Sequence, residues 1–275
     1  MNRYTCTILT FCLLLLGCSA ETVTGKTGII SLHPAVTETI FSLNGEDVLV
    51  GRSQYCTTPP RAQQLPAFGT ALTPNIEALA RRSPDLVIVD TSDHTQSKRI
   101  GEVAPILALP WLTTREIISS TRSLGQHIDR EVAANALADQ YQNILSQTPP
   151  ETAPSAVMLL GNGELTHKSL WYIKPESIHG AALTAAGFNN AISPGKSGAP
   201  SMSLETLITL NPDTIIVLST EDNTDSILGS LQPIKPLRAV QNNQLFVVSG
   251  SRVMSSGPGI LELVSQLKAL PIHQK

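Results

Sequence analysis

The stretch TTREIISSTRSLGQHIDREVAANALADQYQNILSQ, residues 113–147, sets the plan of the chain. Its first four residues fit a capping box, in which Thr113 accepts from the Glu116 amide and the Glu116 side chain reaches back. Apolar residues then recur every three to five positions until Pro149, which cannot continue a helix. The pattern predicts a single helix of about nine turns, roughly 48 Å long, that spaces two lobes apart.

An internal repeat on either side of this stretch indicates two lobes with one plan. IEAL at 76–79 and PDLVIV at 84–89 match LETL at 204–207 and PDTIIV at 212–217, at a constant offset of 128 residues. Strand-like and helix-like segments alternate around both copies. Such alternation is typical of a mainly parallel sheet covered by helices, so we predict an α/β fold with two Rossmann-like lobes.

The predicted boundaries follow from these patterns. Residues 28–112 form the N-terminal lobe, 113–148 the single interlobe helix and 149–275 the C-terminal lobe. A deep cleft between two such lobes is the natural place for a ligand.

The N-terminus has the features of an export signal. Arg3 precedes a short apolar run that ends in LLGC at 15–18. This sequence resembles a bacterial lipobox, which implies a lipoprotein signal peptide at 1–17, lipidation of Cys18 and a polar tether at 18–27. Several acyl chains on this cysteine would anchor the protein to a membrane. Plain secretion with cleavage nearby is the alternative.

Cysteine content, charge and motifs argue against several classes of protein. After the leader and Cys18, only Cys56 remains, so the lobes hold by packing and not by internal disulfides. The chain has 22 acidic and 19 basic residues without a long basic run, which argues against nucleic acid as a partner. It lacks a G-x-S-x-G elbow, a full Walker loop, a three-glycine dinucleotide loop and an H-E-x-x-H zinc motif. An enzyme is therefore not predicted.

Five motifs in order carry a resemblance to a known family. They are ISLHPAVTE at 30–38, YCTTPP at 55–60, the two glutamate to Pro-Asp units, SIHGAALTAAGFN at 177–189 and GPG at 257–259. Together they resemble the solute-binding proteins of ABC importers for metal chelates, which carry vitamin B12, ferric siderophores or haem. The resemblance implies a monomeric receptor, periplasmic or at the cell surface, without a cofactor of its own. It would capture a cobalt or iron chelate, corrinoid or siderophore, and deliver it to an ABC permease and its ATPase.

The resemblance also implies how the receptor docks. Members of this family join their lobes by a single helix and meet the permease through one carboxylate from each lobe. By their place in the repeat, Glu77 and Glu205 would carry that role. A purely local role, in which each glutamate complements its helix dipole, is the alternative.

Loop residues after the predicted strands are the candidate ligand contacts, because ligands of parallel sheets gather at the carboxyl ends of strands. His33 follows the first strand, and its imidazole could ligate a metal or bond a chelate. Trp171 and Tyr172 offer rings for a flat macrocycle. Tyr55 could line the cleft, and its phenol could contact the chelate or ligate iron or cobalt. Arg252 could pair with an anionic group.

Two other cargoes rank lower. The haem carriers that this chain resembles have a tyrosine where this sequence has GTAL at 69–72, so haem would need axial ligation by His33 or Tyr55. A bare zinc or manganese carrier would need convergent ligands, for which His33, His167 and His179 remain. Trp111, at the start of the helical stretch, is expected at the hinge.

Overall fold

The computed structural model describes residues 28–90, 94–161, 169–195, 199–221 and 224–272. The expected leader, the lipidated Cys18 and the tether lie outside these residues. Within the described part, every helix is too short or too polar to cross a bilayer.

The N-terminal lobe is built on a four-stranded parallel sheet with the order β2-β1-β3-β4. Its elements are β1 (Ile29–Ser31), α1 (Pro34–Ser42), β2 (Leu49–Arg52), α2 (Ile76–Arg82), β3 (Leu86–Val89), α3 (His94–Gly101) and β4 (Ile106–Ala108). All residues of β1 are buried, as expected for a central strand with helices on both faces.

The prediction of one interlobe helix is wrong, because residues 113–147 form two helices, α4 (Thr114–His127) and α5 (Glu131–Leu145). The capping box that opens α4 is confirmed: the Glu116 amide donates to Thr113 Oγ1 at 3.3 Å, and the Thr113 amide donates to the Glu116 carboxylate at 2.9 Å. α4 ends in a Schellman turn. Asp129 takes a φ of +54°, and the Arg130 amide donates to the Gly125 carbonyl at 2.8 Å.

The chain turns back after this break, and α5 packs against α4. A Cβ on Gly125 would collide with the Cβ of Ala134, so glycine permits the close approach of the two helices. Arg122 and Asp139 form an ion pair across them at 2.8 Å. The apolar stripe that suggested one rod is therefore two shorter stripes that face a shared core.

The C-terminal lobe has a second four-stranded parallel sheet, with the order β10-β9-β5-β7, and a small antiparallel pair, β6-β8. Its elements are β5 (Ser155–Leu160), β6 (Leu170–Trp171), α6 (Ile178–Ala185), β7 (Asn189–Asn190), β8 (Ser201–Met202), α7 (Leu204–Leu210), β9 (Thr214–Ser219), α8 (Thr224–Leu231), α9 (Arg238–Gln241), β10 (Leu245–Ser249) and α10 (Gly259–Lys268). The two large sheets are separate, which confirms a two-lobed α/β fold with parallel sheets.

The repeat appears in the structure at matching residues. α2 and α7 both have seven residues, and the side chains of Asn75 and Ser203 cap them. Both end at left-handed residues, Ser83 with a φ of +46° and Asn211 with a φ of +43°. Each helix returns the chain to the start of the next strand, so its first turn lies near the carboxyl end of that strand.

One apolar core continues across both lobes. It includes Ile40 of α1, Ile117 of α4, Tyr141 of α5, Ile178 of α6 and Leu263 of α10, all at most 2% exposed. The lobes therefore meet through a packed interface, and not only through a rod. Separating them would expose apolar surface at a cost of about 25 cal/mol per Å².

Candidate functional site

Segments that follow strands of both sheets meet at the lobe junction. The loop after β10 reaches the segments that follow β1 and β4 in the other lobe. In this loop the Ser256 carbonyl accepts a 2.7 Å hydrogen bond from the indole of Trp111, and Arg252 contacts Glu38 of α1. Trp111 is thus buried at the lobe junction, and its place at a hinge stays a prediction. Ligands of α/β proteins bind beyond strand ends, so the cleft between these loops is the candidate site.

Glu38 is the central polar group of this junction. Its side chain is 7% exposed. The carboxylate accepts from Arg252 Nε at 3.0 Å and Nη2 at 2.5 Å, from the Ser255 hydroxyl and from the Gly259 amide at 3.1 Å. Nothing in the sequence pairs Glu38 with residues more than 210 positions away, so the sequence analysis missed it.

Arg252 is part of this junction. Besides Glu38, its guanidinium contacts the carboxylate of Glu262 at 2.9 Å. Its predicted pairing with an anionic ligand would compete with both carboxylates. That role stays a prediction.

His33 lies immediately before α1, with 12% of its side chain exposed. Its Nε2 is 4.0 Å from Oδ2 of Asp90, and its ring centroid is 5.8 Å from that of Trp111. Burial lowers the pKa of His33 more than Asp90 raises it, so the imidazole is neutral at pH 7. Its buried Nδ1 has no hydrogen-bond partner within the described residues. A neutral imidazole can bond cargo or ligate a metal; both roles stay predictions.

Tyr55 is presented on a braced loop after β2, with its side chain 65% exposed. Its amide donates to Ser53 Oγ at 3.1 Å. The next residue, Cys56, is buried and accepts from Thr37 Oγ1 at 3.1 Å, which ties the loop to α1. The guanidinium of Arg52 donates to four carbonyls of the same region. Burial raises the pKa of the Cys56 thiol, so this cysteine acts as an anchor and leaves the exposed ring to the cleft.

Trp171 lies in β6 of the C-terminal lobe. Tyr172 pairs with Leu159 in an antiparallel bridge, which sets Trp171 beside Leu160, the last residue of β5. Trp171 is 48% exposed, whereas Tyr172 is 5% exposed, because successive residues of a strand point to opposite faces. Tyr172 packs in the core of this lobe and lines a hollow of about 550 Å³ near β8 and the start of α7. Contact of Tyr172 with the ligand stays a prediction.

The described residues include seven large apolar side chains that are exposed. Five of them lie in loops or in a short strand that follow the strands of the two large sheets. Besides Tyr55 and Trp171, they are Leu72 before α2, Leu112 after β4 and Met254 after β10. The sequence analysis missed these three, because an isolated leucine or methionine in a loop gives no signal of exposure. Exposed apolar side chains that lie together mark a binding surface, so these five are candidate contacts for a ligand.

Glu77 and Glu205 occupy equivalent places, in the first turns of α2 and α7. Both are exposed. Glu77 pairs with Arg81 at 2.6 Å, and a hydrogen bond with the Ser203 side chain lowers the pKa of Glu205. The structural equivalence expected from the repeat is confirmed, and the docking role stays a prediction.

The described residues do not assemble a metal site from protein ligands alone. Across 28–90, 94–161, 169–195, 199–221 and 224–272, no three His, Cys, Asp or Glu side chains converge where they could hold a metal ion. His179 is buried in α6, which lowers its pKa to about 4. His167 lies outside the described residues. A zinc site needs three or four protein ligands, so the bare-metal alternative has no support here.

The chain is similar in sequence and fold to binding proteins. A family model described as periplasmic binding protein matches residues 29–250. The cobalamin-binding protein of Halobacterium salinarum is 24% identical over 259 residues, 87% of this chain and 68% of that protein. The Fe(3+) dicitrate-binding periplasmic protein of Escherichia coli is 26% identical over 154 residues, 55% of this chain and 51% of that protein. A solved periplasmic haem-binding protein from Pseudomonas aeruginosa has a TM-score of 0.72 at 21% identity, covering 88% of this chain and 91% of that one.

Proposed function

Because the chain belongs to the periplasmic binding protein family, we propose that it captures a metal chelate between its lobes and delivers it to an ABC permease. Membership confirms the family resemblance seen in the sequence. The relatives are binding proteins of transport systems, which confirms that the chain is not an enzyme. The family works outside the cytoplasm. Anchoring through Cys18 remains part of the proposal.

One observation carries the choice of a chelate: each lobe presents an exposed aromatic ring close to a strand end of its sheet. Tyr55 stands on a loop with several internal hydrogen bonds, and Trp171 of β6 lies beside the last residue of β5. Aromatic contacts contribute about 0.5–1.5 kcal/mol each beyond the area they bury. A flat or bulky metal complex gains from two such rings, whereas a bare ion gains nothing from them.

Two exposed carboxylates support the delivery step. Glu77 and Glu205 are exposed and stand in the first turns of the equivalent helices α2 and α7. We assign them to pairing with cations of the permease, which orients and steers the encounter more than it tightens it. ATP is hydrolysed by the ATPase partner, and the receptor contributes binding alone.

Tryptophan fluorescence tests the proposal directly. The chain has two tryptophans, Trp111 buried and Trp171 exposed, so cargo in the cleft should quench mainly the second. We expect saturable quenching by cyanocobalamin or by a ferric siderophore. The Trp171→Phe variant should lose most of that quenching, while Val132→Ala, an exposed change on α5, should match the wild type. Absence of saturable binding by any chelate would refute the proposal.

Haem is the second candidate, favoured by His33. The buried Nδ1 of this residue lacks a partner within the described residues, and an imidazole can serve as an axial ligand of haem iron. Hemin titration followed at the Soret band tests this. An axial histidine gives a spectral shift that His33→Ala abolishes; an identical spectrum in both proteins counts against haem ligation by His33.

A further inference from the structure

Two arginines that border the described cleft loops, Arg52 and Arg252, are already occupied within the protein. Arg52 donates through Nε, Nη1 and Nη2 to backbone carbonyls of its own lobe, at 2.9 to 3.3 Å. Arg252 uses Nε and Nη2 on Glu38 and Nη1 on Glu262. Recruiting either guanidinium to an anionic cargo would break the brace of the Tyr55 loop or the lobe junction.

Carboxylates stand at the same strand ends. Asp90 follows β3 with 25% of its side chain exposed, and the exposed Glu221 follows β9. The neighbouring His33 is neutral at pH 7, because burial lowers its pKa. Like charges brought together across an interface are strongly unfavourable, so these loops disfavour an anionic ligand.

Large apolar side chains are exposed in several of these loops, beside polar ones such as Gln54, Ser249 and Ser251. Leu72 is 68% exposed and Leu112 is 64% exposed, and Tyr55, Trp171 and Met254 are exposed as well. A surface of this kind gains free energy by covering apolar area of a ligand.

From these three observations we propose that the cargo is an uncharged metal chelate with an extended apolar face. Chelates that carry net negative charge, such as citrate or catecholate complexes and haem with its propionates, are then poor ligands. This inference rests on the proposed function and adds the charge and surface of the cargo to it.

Calorimetric titration of the purified protein with a panel of chelates tests the inference. Cyanocobalamin and ferrichrome serve as uncharged probes; ferric enterobactin, ferric dicitrate and hemin serve as anionic probes. We expect an uncharged probe to bind at least about tenfold more tightly than every anionic probe. Its affinity should change less than about twofold between about 50 mM and about 500 mM NaCl, because no ion pair forms on binding.

The outcomes separate the two proposals. Equal or tighter binding of an anionic probe overturns the inference and leaves the proposed function intact. Failure of every probe to bind overturns both.

Substitutions sharpen the test. Trp171→Ala should weaken the best uncharged probe by about tenfold, through loss of apolar contact. Arg115 is an exposed cation in the first turn of α4, close in sequence to Leu112. Arg115→Gln should change affinity by less than about twofold, like the control Val132→Ala. A tenfold loss in Arg115→Gln would show that the cargo is held by its negative charge and would overturn the inference.

Discussion

Replacing Glu38 with alanine should loosen the junction between the lobes. The carboxylate is 7% exposed and joins α1 to three residues of the other lobe, Arg252, Ser255 and Gly259. Alanine suits a helix interior, so the substitution does not weaken α1 itself. Any loss of stability therefore reports on the junction.

The expected loss is about 3 kcal/mol. Breaking a buried ion pair by removing one partner costs about 3–5 kcal/mol. The lower end applies because Arg252 is 40% exposed and keeps Glu262 as a partner. Within that total, leaving the buried Gly259 amide unsatisfied accounts for about 1–3 kcal/mol.

Urea unfolding measures this loss, with Glu262→Gln as the matched control. Glu262 meets the same guanidinium from a half-exposed position, so its removal should cost at most about 1 kcal/mol. The free energy of unfolding should therefore drop far more for Glu38→Ala than for the control. Equal losses in the two variants would refute the view that Glu38 holds the lobes together.

Three further predictions concern other parts of the molecule. Gly125→Ala should lower the free energy of unfolding by about 1–3 kcal/mol, because its Cβ would collide with Ala134, and a gain in thermal stability would contradict the packing of α4 on α5. His179 has a pKa of about 4 in the fold against an ordinary 6.5, so between these pH values the unfolded chain binds the extra proton. The free energy of unfolding should then fall by up to about 3 kcal/mol as the pH drops from 6.5 to about 4. In urea titrations, His179→Gln should show a smaller fall. An equal fall in the variant and the wild type would count against this role of His179. The double change Glu77→Gln with Glu205→Gln should leave cargo affinity within about twofold of wild type but reduce stimulation of the reconstituted transporter's ATPase, and full stimulation would exclude docking through these residues.

Local signals made much of the fold predictable. Both copies of the repeat are a helix followed by a strand, α2 with β3 and α7 with β9, as expected. A cap, a short apolar pattern and a following Pro-Asp all lie within the same few residues of each copy. Short-range physics decides such elements, so one sequence suffices.

The break between α4 and α5 escaped prediction for the opposite reason. The apolar spacing continues through it, and aspartate is a tolerable residue for the left-handed conformation that Asp129 adopts. The turn lets α5 pack against α4, with Gly125 next to Ala134, and the sequence pattern of either helix does not reveal that contact. The polar helix α3 and the two-residue strands β6 and β8 were missed because they carry almost no periodic signal.

The candidate site, like the fold, could be predicted only in part. His33, Tyr55 and Trp171 could be proposed because they lie near the ends of predicted strands, whose position follows from the order of elements. The burial of Tyr172, the engagement of Arg252 and the role of Glu38 depend on partners far along the chain. A single sequence does not contain that information.

Anomalous scattering from crystals of the protein with its best-binding chelate tests the central claim most directly. Cobalt or iron gives a signal that locates the metal without reference to the surrounding density. We predict one metal peak in the gap between the sheet ends, with the chelate touching both Tyr55 and Trp171. A metal peak outside that gap, or a chelate that touches neither ring, would contradict the account.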